Sequence, residues 1–109
     1  MTVALADSLG EPRARAFVAA RRAGLALTRY PGAMPASEAE AYALQDAAIA
    51  LWDDRVAGWK VGLIVPPFDA QLGRTRLFGP IFSRHVVHAA DTPVRFGCIA
   101  GGFAAAEAE

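Results

Sequence analysis

Two changes of period divide the chain. Over residues 12–27, Ala16, Phe17, Ala20, Ala23 and Gly24 recur at helical spacing with arginines between them, which predicts an amphipathic helix. Pro12 suits its first turn, where the N–H that proline lacks would have no intrahelical partner. Tyr30, Pro31 and Gly32 break the pattern, and a loop runs on to Pro35. Ser37 followed by Glu40 has the form of a capping box, in which each side chain satisfies a free backbone N–H of the first turn. An apolar stripe follows at Ala41, Leu44, Ala48 and Leu51, with Trp52 beside it, until Asp53 and Asp54 end a second helix.

Over residues 55–65 the period becomes two. Trp59, Val61, Leu63 and Val65 then point one way, and Gly58, Lys60, Gly62 and Ile64 the other. Pro66 and Pro67 stop this strand, because proline brings no ladder N–H. Residues 68–72 fit one helical turn closed by Gly73. Short extended pieces are expected at 79–82 and 85–88, a turn at 91–93, a strand start at 94–96 and a last extended piece at 103–109. Helices first and strands later predict an α+β fold.

At 109 residues the chain matches one small domain. Hydrophobic residues make up 54% and charged residues 20%, which excludes a disordered tail. Much of the apolar share is alanine, so the expected core is thin. Eleven basic and eleven acidic side chains cancel, and nothing selects for nucleic acid or an anionic membrane. Arg13, Arg15, Arg21 and Arg22 read as the solvated face of the first helix rather than a phosphate patch. The single cysteine, Cys98, forms no internal disulfide and reads as a small buried hydrophobe in a reducing compartment. The first residues lack the pattern of a signal peptide, and no run approaches the roughly 18 apolar residues of a membrane span. The expected location is the cytoplasm.

Two features carry chemistry. In an extended segment Glu107 and Glu109 would share a face, with Cα atoms about 7 Å apart. A hard cation, Mg²⁺ or Mn²⁺, takes oxygen ligands of this kind, but on spacing alone a solvated acidic end is the favoured reading. Lys60 lies mid-strand between Gly58 and Gly62. Glycine inside a strand often marks a place where a ligand comes close, and an ammonium in that clearing binds a carboxylate or moves a proton. The bland alternative is an edge-strand lysine facing water. His85 and His88 fall on opposite sides of their expected strand, and Tyr42 with Gln45 reads as a packing pair on one helix face.

The order of these blocks is informative. Ser37 with Ala41-Tyr42-Ala43-Leu44-Gln45, then Gly58-Trp59-Lys60-Val61-Gly62-Leu63, Gln71-Leu72-Gly73, Phe78-Gly79-Pro80-Ile81-Phe82 and Glu107-Ala108-Glu109 resemble, in register, the 2-keto-4-pentenoate hydratase and 4-oxalocrotonate decarboxylase group of the fumarylacetoacetase-like superfamily. The resemblance implies a helical N-terminal segment (residues 1–56) and the beginning of a catalytic β-roll (57–109), with the remainder of the roll outside this sequence. It implies Lys60 as the catalytic residue, Gln71, Leu72 and Gly73 against substrate, and Glu107 and Glu109 as ligands of Mg²⁺ or Mn²⁺. The implied substrate is a 2-hydroxy-2,4-dienoate, hydrated to a 4-hydroxy-2-keto acid. Leu77 stands where hydratases of the group often carry an aspartate, so a decarboxylase, or a catalytically inactive partner subunit, remains open. A homo-oligomer or complementing subunit is the expected assembly.

Overall fold

The computed structural model describes residues 11–90, 93–95, 97, 99–102 and 105–108. Over these the chain is a small α+β fold. The elements are α1 (Pro12–Ala23), α2 (Glu38–Leu51), β1 (Val56–Leu63), the short α3 (Phe68–Leu72), β2 (Arg76–Phe82) and a 3₁₀ turn, Ser83–His85. No helix among the described residues is long and apolar enough to cross a membrane.

Helix α1 stops four residues short of the expected 27. Gly24 adopts φ 66°, and its N–H reaches back to the carbonyls of Ala20 and Arg21. A residue counted into the apolar stripe is thus the left-handed C-cap, a conformation glycine takes without the clash of a side chain. The buried stripe is Ala14 and Val18, one turn apart, with Phe17 beside them against the edge of Tyr30 at 5.4 Å.

The capping box of α2 forms by half. The Glu40 N–H donates to Ser37 Oγ at 3.1 Å, as expected, but the Glu40 carboxylate passes over Ser37 to accept from the Ala36 N–H at 2.9 Å. It is drawn there by Arg13, whose guanidinium lies 3.2 Å from Glu40 and 2.8 Å from Glu11 and also donates to the carbonyl of Ala33 at 2.9 Å. One arginine therefore ties the start of α1, the intervening loop and the start of α2. Gly32 runs beneath it at φ 131°, and a Cβ there would sit 3.1 Å from Arg13 Cγ. Of the α2 stripe only Leu44 is buried; Ala48 and Leu51 are half-buried and Ala41 is exposed.

The two strands form an antiparallel hairpin. Pairs run from Val56 with Phe82 to Leu63 with Arg76, and Ala57 bulges out between Val56 and Gly58. Strand β2 begins at Arg76, three residues before the expected 79. Alternation along β1 follows the sequence, but the apolar side is the open one. Trp59 is 52% exposed, Val61 48% and Leu63 63%, whereas Ile64 on the other side is buried. Phe82 is the best buried residue of the hairpin, packed on Trp52 at 5.6 Å. The Arg21 guanidinium lies over both rings at 4.9 and 5.2 Å, where a cation meets their π faces. Ala14, Val18, Leu44, Ile64 and Phe82 make up the buried apolar core of the described residues, as thin as the alanine content implied.

Asp54 fastens the far end of the hairpin. Its carboxylate accepts from the Ser83 hydroxyl and from the N–H groups of Arg84 and Arg55, both at 2.8 Å. Residues 85–88 are not the expected strand: His85 closes the 3₁₀ turn and lies 3.4 Å from the Arg21 guanidinium, and His88 is exposed in irregular chain. Residues 94–95 and 105–108 are also irregular, and Ala100 makes a single parallel bridge to Leu25. Asp91, Thr92, Phe96, Cys98, Phe103 and Glu109 lie outside the described residues.

These carboxylates tie stability to pH. The Arg13 side chain holds Glu11 below its ordinary value, the Ala36 N–H and then Arg13 do the same for Glu40, and the Ser83 hydroxyl and then the Arg84 N–H lower Asp54. All three are depressed in the folded chain, so their contribution is complete above the ordinary values of 4.5 and 3.8 and is lost as pH falls toward the native ones. Thermal melts should give a flat Tm down to about pH 5 and a falling one below it. Arg13→Leu should lower the neutral Tm and flatten that acid limb; an unchanged limb would remove Arg13 as its cause.

Candidate functional site

Lys60 stands at the centre of the more open part of the hairpin. It is directly opposite Gly79, with Gly58 and Gly62 two residues away along its own strand. Opposed residues share a face in an antiparallel pair, so three of the nearest positions around the lysine stem have no side chain. A Cβ built on Gly58 or Gly79 would meet nothing within 4 Å, and one on Gly62 would meet only the side chain of Leu77, at 3.4 Å. Ile81 opposite Gly58 and Leu77 opposite Gly62 form apolar borders. Lys60 is exposed, and its stem rises from a low floor with hydrophobic sides. That geometry admits the carboxylate end of a small acid and leaves its apolar part on Leu77 or Ile81.

The glycines at 58 and 62 were readable in the sequence; Gly79 was not. Only the pairing of β1 with β2 brings it opposite Lys60. Its signal was the Gly79-Pro80 pair, since proline belongs where a strand N–H has no ladder partner.

Beyond the Gly62–Leu77 row the same side of the sheet meets a cavity of about 360 Å³, in the size range of small-molecule sites. Met34, Ala41, Tyr42, Ile64, Leu72 and Leu77 are among its walls. Leu72, one of the three residues expected against substrate, lines it, whereas Gln71 and Gly73 do not. Gln71 is exposed on α3, and Gly73 is the left-handed C-cap of that helix, its N–H on the Asp69 carbonyl. Lys60 is not itself part of the wall. The lysine clearing and the cavity are neighbours separated by one row of side chains.

Tyr42 and Gln45 do more than pack. Phe78 lies opposite Val61, yet its N–H donates to Tyr42 Oη at 3.1 Å and its carbonyl accepts from Gln45 Nε2 at 2.9 Å. These backbone groups point away from β1, and α2 supplies what a third strand would have supplied. The spacing of three that marked a packing pair is the spacing needed to reach both groups of one residue.

Of the acidic pair, one member is among the described residues. Glu107 is exposed in irregular chain, Glu109 lies outside the described residues, and no group of three or more His, Cys, Asp or Glu among the described residues is placed to hold a metal. Comparison with protein-family models, with curated proteins and with solved structures finds no match to this chain.

The edge bonds have a measurable consequence. Tyr42→Phe should cost about 0.5–1.5 kcal/mol, the usual net worth of one hydrogen bond, and should speed amide exchange at Phe78 more than at Ile64, whose N–H donates to the Thr75 carbonyl. Equal acceleration at both sites would mean that Tyr42 acts on global stability rather than on the strand edge.

Proposed function

We propose that this chain belongs to a lyase-type enzyme acting on 2-keto or 2-hydroxydienoic acids, with hydration of a 2-hydroxy-2,4-dienoate as the reaction and decarboxylation of a related keto acid as the alternative. The observation that carries the reading is Lys60 in its three-glycine clearing, beside an apolar cavity. A 2-keto acid has a carboxylate at one end and an apolar unsaturated tail at the other. The clearing suits the first and the Leu77 border and cavity the second. The ordered motifs described under the sequence add support, and the β-roll belongs to the same proposal.

In this reading Lys60 binds the C1 carboxylate as a point charge, or delivers a proton to the dienolate as its double bonds shift. A divalent metal held by Glu107 and Glu109 is part of the resemblance. Among the described residues no cluster of metal-ligating side chains includes Glu107, and Lys60 is the residue that would supply anion binding and proton transfer.

Titration with pyruvate and 2-oxopent-4-enoate, followed by tryptophan fluorescence, tests the reading. The longer acid should bind more tightly than pyruvate, and Lys60→Met should weaken both by about tenfold or more, the equivalent of one charge-assisted hydrogen bond. Equal binding by Lys60→Met would remove the site. A Mn²⁺ titration of the same protein should show at most weak binding, abolished in the Glu107→Ala, Glu109→Ala double variant. Loss of dienoate absorbance would then indicate hydration, and release of CO₂ the decarboxylase.

A further inference from the structure

Three guanidiniums and an imidazole, far apart in the sequence, meet at one cavity. Arg21 comes from the last turn of α1, Arg84 and His85 from the 3₁₀ turn after β2, and Arg95 from the irregular chain beyond it. The cavity they line measures about 680 Å³, and among the described residues no carboxylate is part of its wall. It shares no described residue with the cavity beyond Leu77, so it stands or falls independently of the enzymatic reading. The positive charges are unevenly answered. Arg84 donates to the Asp53 carbonyl at 2.9 Å and lies 3.9 Å from that residue's exposed carboxylate, a distance at which a solvated pair contributes little. Arg21 lies over the rings of Trp52 and Phe82. Among the described residues neither Arg21 nor Arg95 forms an ion pair with a carboxylate.

We propose that this cavity binds the phosphate group of a phosphorylated small molecule. Gathering like charges around one space raises the energy of the folded chain, and an anion held between them lowers it. Three guanidiniums exceed what a single carboxylate needs. A phosphate monoester brings close to two negative charges and three free oxygens, and the guanidinium fork matches those oxygens. His85 adds a donor. Arginine can only donate, so the His85 Nδ1, 3.4 Å from Arg21 Nη2, accepts, and the proton of the neutral ring sits on Nε2. Val87 and Ile99 give the same wall an apolar part. The volume is in the range of small-molecule sites and leaves room for an organic body beyond the phosphate.

The test is isothermal titration calorimetry of the full chain at fixed ionic strength, with phenyl phosphate, inorganic phosphate and benzoate as probes. Phenyl phosphate should saturate a single site and bind about tenfold or more tighter than benzoate, which has the ring but one charge and one carboxylate. Inorganic phosphate should fall between them, having the charge and not the body. Arg95→Gln and Arg84→Gln should each weaken phenyl phosphate by about tenfold or more, the loss of one charge-assisted hydrogen bond, with far-UV circular dichroism unchanged. Arg15→Gln, which removes an exposed arginine of α1 outside the cavity, should leave binding as it is. Absence of saturable phenyl phosphate binding overturns the proposal, and so does benzoate binding as tightly as the ester. Inorganic phosphate binding as tightly as phenyl phosphate overturns the organic ester in favour of the free ion. An equal loss in Arg15→Gln and Arg95→Gln overturns the site itself, since attraction to net charge would then account for the binding.

Discussion

The hairpin stands because α2 satisfies the backbone of Phe78. Two strands alone are marginal in water, and this pair leaves its apolar face open. What anchors it to the helices is a small set of contacts: Tyr42 and Gln45 on one backbone unit, Phe82 under Trp52, and Asp54 on the turn that follows β2. The first of these fixes which way β2 presents its alternate residues. It therefore fixes that Gly79 stands across from Lys60.

The thin core shifts weight onto polar ties. Among the described residues five side chains are buried hydrophobes, two of them no larger than valine, so burial there contributes little by the usual measure of apolar area. Arg13, Arg21 and Asp54 each hold together segments far apart in the chain. Arg13 and Asp54 are charged ties that weaken in acid, as Glu11 and Glu40 beside Arg13 and the Asp54 carboxylate itself take up protons, and Arg21 works through aromatic faces. The arginine-dense first helix has its explanation here. Arg13 and Arg21 are spent on internal contacts, and Arg22 donates to the Leu51 carbonyl at 2.7 Å.

Lys60 illustrates how far a site is legible before folding. Its two strand neighbours at distance two are glycines whatever the partner strand, so part of the clearing is written locally. The third glycine, the apolar borders and the adjoining cavity depend on pairing and on where α2 and α3 come to rest. The acidic pair illustrates the opposite case. Its shared face depends on an extended segment, and of the pair only Glu107 is among the described residues, exposed and outside any strand.

By itself the sequence determined the elements whose causes are local: the proline start of α1, the serine cap of α2, the period-two run of β1 with its stop at Pro66, and the glycine that closes α3. Those depend on dihedral preferences and on hydrogen bonds within a few residues. Tertiary structure decided the rest. It turned the Glu40 carboxylate from Ser37 toward Arg13, moved the start of β2 to Arg76, and made a 3₁₀ turn where a strand was expected. Each of these outcomes was set by a partner distant in the chain, in the guanidinium of Arg13, the carboxylate of Asp54 or the side chains that close the edge at Phe78. A pattern of spacing records which way a residue points, and only its partner determines what it meets there.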